Sequence, residues 1–341
     1  MRRKQLYYRQ RQRQRQRQRT PRGLLWILLG LFGLGLAAAL IGRRRDEDEP
    51  ETGREPEESP EPGHPEPAPP ESVSGWIAGP AGNLHVRDGG AEETGALPVL
   101  FLHSLAGNGG QWSLQLDHLR RHRRAIALDF RGHGDSDPAE NGDYSIPGLA
   151  QDVEATADQL GLRRFVLAGH SVGGLVAIEY AGRHPERVAG LLLVDPNGDQ
   201  TRVPREQLEP FLAAVREDPH RELDSYFRQL ILGGDRDAGR WVLEDLQDTH
   251  EDAIPAALEG AMQYSPLPSL ERYPGPKLSI ISDMNNLPFS LHRLIPDLRT
   301  RLMHGTGHWL MMDRPEIFNH LLEELLDEVD AAGARGPMES S

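Results

Sequence analysis

Ser171 stands in the pentapeptide Gly169-His170-Ser171-Val172-Gly173, a G-x-S-x-G pattern. A serine hydroxyl attacks an acyl carbon effectively only when a base takes its proton and fixed N–H donors receive the oxyanion that forms. The pattern speaks to the geometry of such a site. A serine on a sharp strand-to-helix turn brings the residues two positions before and after it into contact. Glycine at 169 and 173 omits the side chains that would clash. A helix beginning after the serine points its N-terminus at the reacting centre, so the Val172 backbone N–H is placed to donate to an oxyanion. The bare pentapeptide is common by chance, and its meaning depends on a strand before it and a helix after it.

Both flanks are present. The apolar run Phe165 to Ala168 (FVLA) precedes the turn, and the spacing predicts a helix from Val172 to about His184. Similar runs occur at Val99 to Leu102, Ala125 to Leu128, Leu191 to Val194 and Leu278 to Ile281. None alternates apolar with polar, so each predicts a strand buried on both faces, as in a parallel sheet covered by helices on both sides. Between two of them, Leu149, Val153, Ala157 and Leu160 recur at helical spacing. Ahead of them, WIA and NLHVRD predict a hairpin around Gly79 to Asn83.

Composition narrows the function. The 341-residue chain carries −14, of which the first 22 residues, with ten Lys and Arg and no acid, contribute +10, so the remainder holds −24. So acidic a body argues against nucleic acid as its substrate. With no cysteine, disulfides, thiolate metal sites and a cysteine nucleophile are excluded. Residues 24–41 are uncharged and apolar, about 27 Å long as a helix and enough to cross a bilayer. The expected organisation is a basic cytoplasmic segment (1–22), a transmembrane helix (23–42), an acidic Pro-rich linker (43–72), a catalytic domain (73–332) and a tail (333–341). The long Arg/Gln run before the apolar stretch puts the N-terminus inside and the catalytic domain outside in a single-pass arrangement. A cleaved leader with Ala37, Ala38 and Ala39 near its end, giving a secreted protein, is the alternative.

Four motifs in order, LFLHSLAGNGGQW at 100–112, LDFRGHGDSD at 128–137, LAGHSVGG at 167–174 and HGTGHWLMMDRPEIFNHLL at 304–322, give residues 73 to 332 a resemblance to the α/β-hydrolase superfamily. The matching branch includes haloalkane dehalogenases, epoxide hydrolases, carbon–carbon bond hydrolases, perhydrolases and small esterases. The resemblance implies a mostly parallel sheet with helices on both faces and an inserted helical cap at about 197–271. It implies His308 as base and the Leu105 N–H as second oxyanion donor, and it assigns His103 and His133 to loop bracing. His170 either shapes the pocket or packs, and Trp112 packs beneath the oxyanion loop. The usual His-Gly reads His103-Ser104 here, and the usual Gly-x-x-Asp loop reads Ser282-Asp283-Met284-Asn285, with Asn285 at the acid position. An asparagine cannot neutralise an imidazolium. Asp195, which closes the apolar run LLLV, is the favoured acid, because some haloalkane dehalogenases place theirs at that strand end; Asp283 is the alternative.

The expected function is a membrane-anchored serine hydrolase acting through Ser171, His308 and Asp195 on a small ester-like or other acyl substrate, with no metal or organic cofactor. From the cap, some of Phe211, Tyr226, Phe227, Trp241, Met262 and Tyr264 are expected to line an apolar pocket entrance. An acyltransferase or perhydrolase using the same acyl-enzyme, or a non-catalytic binding protein, is the alternative.

Overall fold

The computed structural model describes residues 73–91 and 95–334. The expected membrane span, the linker before residue 73 and the tail beyond residue 334 lie outside them. Among the described residues, no helix is long and apolar enough to cross a membrane.

The strands are β1 (Val73–Gly79), β2 (Gly82–Asp88), β3 (Val99–Leu102), β4 (Ala125–Leu128), β5 (Phe165–His170), β6 (Val188–Val194), β7 (Lys277–Ser282) and β8 (Thr300–Met303). They form one eight-stranded sheet in the order β1-β2-β4-β3-β5-β6-β7-β8. β1 and β2 are the antiparallel hairpin, β2 joins β4 antiparallel, and all later pairings are parallel. Strands β3, β4 and β6 are buried at every residue, and so is β5, which is why their sequences lack alternation.

Helices α1 (Ser113–Leu119), α2 (Ile146–Gln159) and α3 (Val172–Arg183) connect the central strands. Between β6 and β7 lie α4 (Arg205–Glu217), α5 (Pro219–Leu230), α6 (Arg236–Asp248), α7 (Ala253–Gln263) and α8 (Leu267–Arg272); the short α9 (Leu291–Leu294), α10 (Leu310–Asp313) and the long α11 (Pro315–Ala334) complete the chain. α2, α3 and α8 pack together on one face of the sheet, and α1, α10 and α11 on the other. α4 to α7 pack on one another as a cap above the strand ends.

Register places the working loops side by side. Leu102 pairs with Gly169, and His170 with Val194, so the loops leaving β3, β5 and β6 emerge together at one sheet edge, the place where open α/β sheets present ligand sites.

Candidate active site

Among the described residues, only Ala106, Ser171 and Asp195 combine a side chain with a left-handed backbone, at φ 53°, 54° and 40°. Each immediately follows, or lies a few residues beyond, the end of a parallel strand, β3, β5 or β6. Such conformations cost on the order of 1–3 kcal/mol each and persist only where their surroundings impose them. Ser171 has ψ −115° and sits between β5 and the first residue of α3. A Cβ on Gly169 would meet the Gly173 carbonyl oxygen at 2.2 Å; one on Gly173 would meet the His103 carbonyl oxygen at 2.4 Å. The first contact is the one expected within the turn. The second ties the turn to the β3 loop, which the pentapeptide alone did not disclose.

His308 arrives on the loop between β8 and α10. Its Nδ1–H donates to Asp195 Oδ2 at 2.6 Å. Asp195 is 2% exposed, and it also accepts from the Ser282 backbone N–H at 2.8 Å and from the Ser282 hydroxyl at 2.8 Å. Three donors fix this carboxylate, and the hydrogen bond to it holds His308 in the tautomer whose Nε2 is free to accept a proton. Asp283 lies elsewhere: it takes His304 Nδ1 at 2.8 Å and the Gly305 N–H at 3.2 Å in exposed surroundings. Asn285 donates to the Pro196 carbonyl at 3.0 Å, while the partner of His308 Nδ1 is Asp195.

Ser171, His308 and Asp195 line one cavity of ≈ 110 Å³, together with Leu105 and Val172. Among the described residues, neither the Leu105 nor the Val172 amide N–H has an acceptor within the protein; for Val172 this follows from its place as first residue of α3. In this unliganded arrangement the Ser171 hydroxyl donates to Asn197 Oδ1 at 2.8 Å. Asn197 shares the β6 loop with Asp195 and gave no sign of itself in the sequence. Phe211, Tyr226, Phe227 and Met262 of the cap also line the cavity. Trp241 and Tyr264 do not: Trp241 is half-exposed, and the Tyr264 hydroxyl donates to Glu179 at 2.7 Å.

The remaining histidines hold loops. His103 donates from Nδ1 to the Ser104 carbonyl at 2.7 Å and accepts the Phe130 N–H on Nε2 at 3.0 Å, joining the β3 and β4 loops. Burial first, and His133 second, press its pKa down to about 3. His133 Nδ1 donates to the Arg131 carbonyl at 2.9 Å. His170 Nε2 donates to the His308 carbonyl at 2.9 Å; burial, then the neighbouring His308, keeps it neutral. Trp112 is fully buried with its ring 4.7 Å from that of Phe101. His85, Asp129 and Asp135 are close enough to approach a metal ion together. Arg87 lies 2.6 Å from Asp129 Oδ1 and the Gly109 N–H donates to the same oxygen at 2.6 Å, so that carboxylate already braces the loop after β3.

The cap holds the His308 loop at three points. The Leu230 carbonyl, at the end of α5, accepts the His308 N–H at 2.8 Å. Asp313 accepts from the N–H groups of Asp235 at 2.9 Å and Gly307 at 2.7 Å. Asp245 of α6 accepts from Asn108 Nδ2 at 2.8 Å and Gln111 Nε2 at 2.9 Å, while Gln111 Oε1 accepts the Trp309 indole N–H at 3.2 Å. Burial, opposed by those two amides, lifts Asp245 to about 6.

A family model described as the alpha/beta hydrolase fold matches residues 98–238. The acetyltransferase component of the acetoin cleaving system from Pseudomonas putida is 37% identical over 122 residues, 36% of this chain and 32% of its own length; this chain thus spans about a third of that relative. The sn-1-specific diacylglycerol lipase ABHD11 of Mus musculus is 28% identical over 243 residues, 64% of this chain and 78% of its own length. The solved esterase of Exiguobacterium antarcticum superposes with a TM-score of 0.66 at 20% identity, covering 75% of this chain and all of its own. Fold, motif order and these likenesses agree: residues 98–238 match the alpha/beta hydrolase fold, and the chain is similar to proteins of that superfamily.

Proposed function

We propose that the protein is a membrane-anchored serine hydrolase that cleaves small ester-like or other acyl substrates through a Ser171–His308–Asp195 triad. The observation that carries this reading is the 2.6 Å contact from His308 Nδ1 to the buried Asp195, in the same cavity as a serine held at φ 54°. Substrate binding turns the Ser171 hydroxyl from Asn197 toward His308. Nε2 takes the hydroxyl proton as Oγ bonds to the carbonyl carbon, and the oxyanion forms against the Leu105 and Val172 N–H groups. The C–O bond to the leaving group then breaks as His308 returns the proton to the departing alcohol. Water, deprotonated by His308, attacks the acyl-enzyme; the acid leaves and Ser171 recovers its proton. The apolar cap residues support an apolar acyl group. Serine at the elbow argues against the alkyl-enzyme chemistry of aspartate-dependent relatives.

The 18 apolar residues at 24–41 and the acidic, Pro-rich linker support a single anchor that holds the domain off the exported face of the membrane. The test uses the full chain in detergent. A fluorophosphonate probe labels wild type and fails on Ser171→Ala and His308→Ala, and short p-nitrophenyl esters are turned over in the same pattern. Folded wild-type protein that neither labels nor hydrolyses any ester would make this a binding protein. Product analysis with an added alcohol separates hydrolysis from acyl transfer.

A further inference from the structure

The loop leaving β6 brings Asp195, Asn197 and Gln200 to the same cavity. The first two have partners. Gln200 is 4% exposed, yet its Oε1 is buried without a hydrogen-bond partner. A buried amide oxygen left this way costs on the order of 1–3 kcal/mol, and native proteins keep few. Nor can the turn readily swing the amide out to water. The neighbouring Asp199 is 3% exposed, and its carboxylate accepts from Thr201 Oγ1 at 2.5 Å, Ser265 Oγ at 3.1 Å and Arg202 Nε at 3.3 Å. Its N–H donates to the Phe289 carbonyl at 2.9 Å. A rigid turn thus holds an unsatisfied amide in the cavity wall. A half turn about the last side-chain torsion exchanges its donor and acceptor ends.

The rest of the wall sets the company this amide keeps. Among the described residues, no Lys or Arg lines the cavity, and the one carboxylate there, Asp195, is spent on Ser282 and His308. Phe211, Phe227, Leu230 and Met262 supply apolar surface. A charged group entering here would shed its hydration with no counter-charge to meet it.

We propose that the cavity selects uncharged acyl compounds whose acyl chain is apolar apart from one neutral hydrogen-bonding group, a hydroxyl, keto or amide function, and that Gln200 receives that group. This deepens the serine-hydrolase reading and rests on it for turnover, though not for binding. The test compares p-nitrophenyl esters of one chain length: plain, carrying a hydroxyl or amide group at each position in turn, and carrying a carboxylate or trimethylammonium group at the same positions. The corresponding methyl ketones are titrated against full-length Ser171→Ala protein, so that binding is read without catalysis.

At one position the neutral polar chain should exceed the plain chain about tenfold in kcat/KM and in ketone affinity, the size of one well-made hydrogen bond. Charged chains should fall at least about 100-fold below it. Gln200→Met and Gln200→Leu should each bring the polar-to-plain ratio to about one while charged chains stay excluded. A wild type without positional preference, variants that keep it, or charged chains that match neutral ones would overturn the proposal. If the ketone ranking holds while no ester is hydrolysed, recognition by Gln200 stands and the hydrolase reading falls.

Discussion

Asp195→Asn changes one atom and should silence the site. Asp195 Oδ1 accepts the Ser282 backbone N–H at 2.8 Å, a donor that cannot rotate away. An asparagine must therefore keep its carbonyl oxygen on that N–H, which turns its NH₂ toward the Ser282 hydroxyl and His308 Nδ1. The hydroxyl can reverse and accept. His308 cannot keep a proton on Nδ1 facing a donor, so the ring protonates at Nε2 instead and loses the lone pair that Ser171 needs. A wrong tautomer in the corresponding arrangement of serine proteases costs about 10⁴ in kcat, equivalent to about 5.5 kcal/mol of barrier. Fluorophosphonate labelling rates and p-nitrophenyl ester turnover at pH 7.5 measure it, with urea denaturation confirming that the variant folds. A loss under about tenfold would refute the argument, and the reasoning would collapse entirely if Asp283→Asn gave the larger loss.

Asp283→Asn itself should leave labelling within about twofold of wild type, since its carboxylate serves His304 and Gly305. Gly173→Ala puts a methyl 2.4 Å from the His103 carbonyl and 2.7 Å from that of Leu102; because neither backbone can yield, a loss of about 3 kcal/mol or more in urea unfolding is expected. Asp152→Ala leaves the buried Arg131 guanidinium, 2.6 Å from it in wild type, without its counter-charge, which should cost about 3–5 kcal/mol by the same measurement. Asp245, lifted from 3.8 to about 6, binds more proton in the folded than in the unfolded chain between those values. Its stabilising contribution is complete below about pH 4 and is lost as pH rises through about 6. Asp245→Asn should therefore gain on wild type by up to about 3 kcal/mol in going from pH 4 to pH 7, read by paired urea titrations.

The elbow was legible because its constraint is local: two glycines and a serine between an apolar run and a helix state the geometry by themselves. The strands were legible because burial on both faces removes alternation. Asp195 was legible only as the residue closing an apolar strand, and its 2.6 Å contact with His308 depends on the crossing of β6, β7 and the His308 loop, which no spacing encodes. The holds on the His308 loop were beyond reach. Asp245 and Gln111 are 134 residues apart, and the Leu230 contact uses a backbone carbonyl that any residue type would provide. Asn197 and Gln200 read as ordinary turn residues, because what distinguishes them is the cavity they face.

The suspension of His308 from the Leu230 carbonyl bears on how this protein can be re-engineered. Where a cap is an independent module, exchanging it between relatives alters substrate choice and spares the chemistry. Here the cap is part of the scaffold of His308: a graft that moved the end of α5 by an ångström would move the His308 backbone with it. Caps should therefore transfer into this protein only with their own version of the 304–313 loop, and those two segments should be inherited as one unit among sequences that share this architecture.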